Sequence, residues 1–253
     1  MLTINDLIAG YHERIILHRV NLEIPAGQVT AILGPNGCGK STLLKTMCGI
    51  LDAQGGEILF NGENLLALTQ RELARKIAYL SQSRQIPDIT VKRLVLHGRF
   101  PYLSYPRRYR PQDYAAASAA MHQMEIGDLA DLPLSCLSGG QRQKVYIAMA
   151  LAQDTPIILL DEPTTYLDIH HQLQMMRQAK ELAERGKTVV LVVHDIAHAM
   201  LTADRIVLME QGSVVAQGAP EALFDSGMID KVFRVKLGRV RADSGWQYYC
   251  EEG

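Results

Sequence analysis

The stretch VTAILGPNGCGKSTLLKTMC, residues 29–48, constrains the fold more than any other part of the chain. Val29–Leu33 is an unbroken apolar run, as in a strand buried on both faces. Ser41–Cys48 continues in helix formers, with Gly49 placed to cap them. Between the two lies Gly34-Pro35-Asn36-Gly37-Cys38-Gly39-Lys40-Ser41, which satisfies G-x-x-x-x-G-K-[ST]; Thr42 follows it. A strand–loop–helix of this kind cradles the phosphates of a nucleotide. Its glycines let main-chain N–H groups close around the oxygens, Lys40 neutralises the β and γ phosphates, and the Ser41 hydroxyl reaches Mg²⁺. A plain glycine-rich turn would account for the glycines but not for this context.

Two more apolar runs, IILLDEP (157–163) and TVVLVVHD (188–195), read as further parallel strands of the same sheet. The first ends in two acids. Asp161 is placed to hold Mg²⁺ through water. Glu162, one residue on, points elsewhere and is suited to polarise the attacking water. The bland alternative is a pair of solvated acids at a strand end. A second glycine-bearing helix start, Ser138-Gly139-Gly140-Gln141, opens the run to Leu151 and offers another set of free N–H groups to an anion.

The rest of the chain frames these features. Residues 1–28 alternate apolar and polar in short runs, as half-buried strands do, and RIVLMEQGSVVAQG (205–218) reads as a late hairpin. Residues 86–111 hold four prolines among arginines and tyrosines, which predicts irregular structure, and a helix is expected from Pro111 to about Leu129. The reading is an α/β fold: a nucleotide-binding core with a mostly parallel sheet, an N-terminal antiparallel β layer and a helical insertion. The expected bounds are 1–82 and 152–235 for core and β layer, 83–151 for the helical part, and 236–253 for a tail of unassigned role. With 253 residues and no internal repeat, one nucleotide module is expected. A net charge of -1 gives no bulk basic field for nucleic acid. No apolar run approaches the roughly 18 residues of a membrane span. The opening residues lack the pattern of a secretory signal, and the four cysteines show no metal-like spacing, so a reduced, cytosolic protein is expected.

In order and spacing, Gly34–Thr42, Gln82, Leu137–Gln143, Leu160–Thr164, Asp168 and His194 resemble the ATPase subunit of an ABC transporter. The resemblance implies the roles of several residues. Gln82 is similar to the residue that ligates Mg²⁺ and water and senses the membrane partner. His194 resembles the switch histidine at the γ-phosphate, and Asp168 the acid that communicates between two sites. Tyr11 resembles the aromatic residue that stacks on adenine. Ser138, Gly139, Gly140 and Gln141 resemble the signature that covers the γ-phosphate from the other subunit, so that two head-to-tail copies sandwich ATP. His170, His171 and His198 read as helix-surface groups, and Met175 and Met176 as packing.

The segment Leu96–Tyr114, with Gly98, Arg99, Pro101 and Tyr102, resembles importer ATPases for ferric siderophores, haem and vitamin B12. That likeness implies membrane permease subunits gripped through Arg99, Pro101 and Tyr102, an extracytoplasmic substrate-binding protein beyond them, and a peripheral place on the cytoplasmic face of the membrane. Iron-chelate import is the leading reading, with haem and cobalamin as alternative cargoes. A soluble ABC ATPase outside transport and a small-molecule kinase on the same loop are alternatives of other classes.

Overall fold

A computed structural model describes residues 1–81, 86–164, 168–243 and 245–252. The chain opens with β1 (Leu2–Tyr11), β2 (Arg14–Ile24), β3 (Val29–Leu33), α1 (Lys40–Met47), β4 (Ala53–Phe60), β5 (Glu63–Asn64), α2 (Gln70–Leu73) and β6 (Ile77–Leu80). Three helices follow: α3 (Val91–His97), α4 (Pro111–Gln123) and α5 (Gly139–Gln153). The chain then returns through β7 (Ile157–Asp161), α6 (Ile169–Glu184), β8 (Thr188–Val192), α7 (Ile196–Thr202), β9 (Arg205–Glu210) and β10 (Ser213–Gly218). It ends in α8 (Pro220–Ser226), α9 (Met228–Phe233), β11 (Val235–Ala242) and β12 (Gly245–Glu252).

Among the described residues, β10-β9-β3-β8-β7-β6 form the central sheet, parallel except for the β9–β10 hairpin. Its inner strands β3, β7 and β8 are buried throughout and mostly apolar because both faces are covered, and their side chains separate with period two. Val29, Ala31 and Leu33, with Ile158, Leu160, Val189, Leu191, Ile206 and Leu208, join one core with residues of α3–α7. Ile32, with Ile157, Leu159, Val190, Val192, Val207 and Met209, joins a second core with α1 and the antiparallel sheet β2-β1-β4-β5. Each fully buried aliphatic side chain contributes about 1.5–3 kcal/mol, so both layers are held firmly to the sheet.

One expectation needs correction, and one stretch left unassigned in the sequence takes on structure. The proline-rich stretch 86–111 contains a helix, α3, and a 3₁₀ turn at Phe100–Tyr102. Its prolines flank these elements or occupy a first turn, where a missing N–H is harmless. Val91 and Val95, both inaccessible, and Leu94 anchor α3 in the core. The other is the tail, which forms a regular hairpin, β11–β12, with Leu237 and Tyr248 buried and the other residues at least partly exposed.

Candidate active site

Strands β3, β8 and β7 lie side by side and parallel, so their carboxyl ends meet at one edge. In open α/β sheets this edge is where ligands bind. Here β3 delivers the phosphate loop, β8 delivers His194, and β7 delivers Asp161 and Glu162. Gln82, expected at the end of β6, lies outside the described residues.

The loop is tightly held. A β-carbon on Gly34 would meet the Met209 carbonyl oxygen at 2.2 Å, so only glycine fits against β9. Gly212 donates its N–H to the Cys38 carbonyl at 2.9 Å, stitching the loop to the β9–β10 turn. Gly39, at φ 106°, takes the N-cap position of α1 without any side-chain cap. The first N–H groups of α1 therefore donate to no capping side chain, as an anion site requires. Lys40 is nearly inaccessible, and its ammonium donates to the carbonyls of Gly34 at 2.7 Å and Pro35 at 3.1 Å. The cation thus sits inside the loop, where phosphate oxygens can replace the carbonyls. Cys38 is buried, and burial pushes its thiol pKa up despite the neighbouring Lys40.

Ser41 donates its hydroxyl to Asp161 Oδ1 at 3.0 Å, and Tyr79 donates to Oδ2, also at 3.0 Å. Asp161 is 2% exposed, and its burial raises the carboxyl pKa against the lowering effect of these two hydrogen bonds. A hydroxyl beside a carboxylate is a hard-oxygen pair that suits Mg²⁺, an ion that takes few protein ligands and completes its shell with phosphate and water. Tyr79 had no sequence signal of its own. It sits in β6 opposite Leu159 of β7, two residues before Asp161.

Glu162 adopts φ 50°, in the left-handed region that costs a non-glycine residue about 1–2 kcal/mol. Its N–H donates to the Val192 carbonyl at 3.1 Å. The turn separates Glu162 from Asp161 and brings Oε1 to 2.5 Å from His194 Nε2. The acid and the histidine expected from sequence are thus in direct contact. Tyr11, at the end of β1, is 43% exposed, with the Lys45 ammonium 6.0 Å from its ring centroid. An open ring face beside the loop can stack on a base.

The second glycine-bearing helix start behaves differently. Ser138 caps α5: its Oγ accepts from the Gln141 N–H at 3.2 Å, and Gln141 Oε1 accepts from the Ser138 N–H at 2.9 Å. Ser138 and Gly139 are exposed. Asp168 caps α6 and is paired with His171.

Arg99 does not lie on the surface as expected. It pairs with the buried Asp113 at 3.2 Å, donates to the Ala152 carbonyl at 2.9 Å and stacks 4.0 Å from the Tyr102 ring centroid. Tyr102 donates its hydroxyl to the Gln153 carbonyl at 2.9 Å. Both side chains therefore satisfy orphan carbonyls at the C-terminus of α5. The Pro101 carbonyl accepts from Arg71 and Arg75. Outside this knot runs a groove of about 420 Å³ lined by Arg71, Phe100, Leu103, Tyr105 and Arg107.

A family model described as ABC transporter matches residues 17–165. The chain belongs to the ABC transporter family. The achromobactin transport ATP-binding protein CbrD of Dickeya dadantii (strain 3937) is 40% identical over 236 residues, covering 92% of this chain and 88% of that protein. The ferric enterobactin transport ATP-binding protein FepC of Escherichia coli (strain K12) is 41% identical over 233 residues, covering 91% and 86%. Among solved structures, the dimeric bacterial ABC transporter cassette MJ0796 superposes with a TM-score of 0.74 at 31% identity, covering 87% of this chain and 99% of that one. ABC ATPases bind and hydrolyse ATP, which is the chemistry this edge of the sheet is built for. Among the described residues no helix is long and apolar enough to cross a membrane.

Proposed function

We propose that this chain is the ATP-hydrolysing subunit of an ABC importer for a ferric siderophore or related iron chelate. It acts as a head-to-tail homodimer on the cytoplasmic face of a membrane. The observation that carries the ATPase reading is the meeting of Lys40, Ser41, Asp161, Glu162 and His194 at the ends of three adjacent parallel strands. Lys40 and the N–H groups of α1 bind the phosphates. Ser41 and Asp161 would hold Mg²⁺, which offsets phosphate charge when bound. Glu162 polarises the attacking water, and His194, in contact with it, reaches the γ-phosphate. Tyr11 stacks on adenine. Gln82 carries the coupling role that its resemblance implies.

The Ser138–Gln141 helix start, exposed at Ser138 and Gly139, covers the nucleotide of the partner copy, an arrangement supported by the dimeric cassette to which this chain is similar. The groove beside Phe100 and Tyr105 takes a short cytoplasmic helix of a permease subunit, with Arg99 and Tyr102 supporting it from beneath. Iron-chelate cargo follows from the siderophore systems named for the relatives. The cargo reaches an extracytoplasmic binding protein and the permease, never this chain.

Glu162→Gln tests the catalytic assignment. The amide keeps ATP binding but cannot act as a base, so turnover falls about 10²–10⁴-fold. The variant elutes as a dimer in Mg-ATP and a monomer in ADP; wild-type turnover would remove Glu162 from the reaction. For the cargo, the subunit is reconstituted with its permease, and ATPase stimulation is compared for binding protein loaded with ferric siderophore, haem or cobalamin.

A further inference from the structure

Gly140, the second glycine of the signature helix, is buried rather than open to an incoming phosphate. A β-carbon there would lie 2.3 Å from the imidazole of His171. A β-carbon would have to push this ring aside, so glycine lets a ring from α6 of the same chain lie directly against the α5 backbone. That ring is anchored at its other end. His171 Nδ1 lies 2.7 Å from Asp168 Oδ1, and the His171 main-chain N–H donates to the same oxygen at 2.9 Å. These contacts from His171 hold the Asp168 carboxyl below the usual carboxylate range. The side chain of Asp168 is otherwise well exposed. One histidine thus touches both elements that, in the head-to-tail reading, face the other copy's nucleotide.

We propose that His171 is a positioning residue for the hydrolysis site of the partner copy, its ring seated on Gly140 and its Nδ1 fixed to Asp168. The signature helix and the Asp168 turn are then presented across the dimer interface as one unit. His171 touches no nucleotide and contributes nothing to ATP binding by its own chain. The proposal rests on the head-to-tail reading given above.

The test uses the full chain and reads steady-state hydrolysis, ATP affinity of the dilute monomer, and ATP-driven dimerisation in a Glu162→Gln background. His171→Ala is expected to lower kcat about tenfold, equivalent to about 1.4 kcal/mol of lost transition-state stabilisation. Monomer ATP affinity stays within about twofold, a difference of about 0.4 kcal/mol. The His171→Ala/Asp168→Ala double variant turns over no more slowly than Asp168→Ala alone, because residues that act as a unit are not additive. His171→Asn, whose amide can still donate to Asp168, recovers most of the loss; should His171→Ala fail to fold, His171→Leu, which fills the space on Gly140 but donates nothing to Asp168, carries the same comparison and is expected to show the same fall in kcat. Wild-type kcat in His171→Ala, additive losses in the double variant, or a fall in monomer affinity matching the fall in kcat would each overturn the proposal. Failure of the dimer reading itself looks different: the Glu162→Gln parent, with His171 intact, would not dimerise in Mg-ATP.

Discussion

The chain has two glycine-bearing helix starts, and they are opposites. At α1 the capping residue is Gly39, no side chain caps the first turn, and the cation Lys40 is folded inside against two carbonyls. At α5 the cap is complete, with Ser138 and Gln141 bonded reciprocally, and Ser138 and Gly139 stand in the open. A ligand entering the first site finds donors that no capping side chain occupies. A ligand arriving at the second must share or displace a hydroxyl already in use. Thus the α1 start is left open to phosphate, while the α5 start is already capped by its own side chains.

The sharpest way to break this comparison is to damage each start separately. Lys40→Ala should weaken ATP binding by the dilute monomer about tenfold or more, since charge-assisted hydrogen bonds contribute about 1.5–3 kcal/mol each. Ser138→Arg should leave that affinity nearly unchanged yet abolish hydrolysis and ATP-driven dimerisation of the Glu162→Gln variant. Nucleotide titration and size-exclusion chromatography read both. Equal loss of monomer affinity in the two variants would place both helix starts in one chain's pocket.

A smaller effect separates the starts by stability. Ser138→Ala removes a full cap and should cost about 1 kcal/mol, lowering the melting temperature by about 2–4 °C. Gly39 offers no such cap to lose.

Asp161 gives the smallest and most counterintuitive change. Its folded pKa is raised, so between the unfolded and folded values the native state holds the extra proton and stability falls as pH rises. Asp161→Asn should therefore stabilise the nucleotide-free chain at pH 7, while hydrolysis in Mg-ATP is lost. Thermal melts from pH 4 to pH 8 check the sign: the gap between wild type and Asp161→Asn should widen with pH.

The phosphate loop and the buried strands were legible because each rests on local pattern: apolar runs, a fixed motif, acids at a strand end; Glu162 and His194 were singled out separately, but their contact was not. Helix α3 was not, because a count of prolines says less than their placement, and Pro87, Pro101, Pro106 and Pro111 all fall outside it. Tyr79 and His171 were hidden for a different reason. Their partners, Asp161 and Gly140, are 82 and 31 positions away, and no periodicity reports such contacts. Arg99 and Tyr102 were seen as a group, but their contacts within the chain were not. Charge and aromaticity suggested exposure, whereas the orphan carbonyls of α5 draw them inward.

That inward turn has a mechanical consequence. Helix α5 spans 15 residues, about 22 Å at 1.5 Å per residue. One end carries the exposed Ser138, and the other is fastened by Arg99 and Tyr102 beneath the groove at Phe100 and Tyr105. A hydrogen-bonded helix resists compression along its axis far better than bending. It is therefore a stiff strut whose fastened end and exposed end are held at a fixed separation.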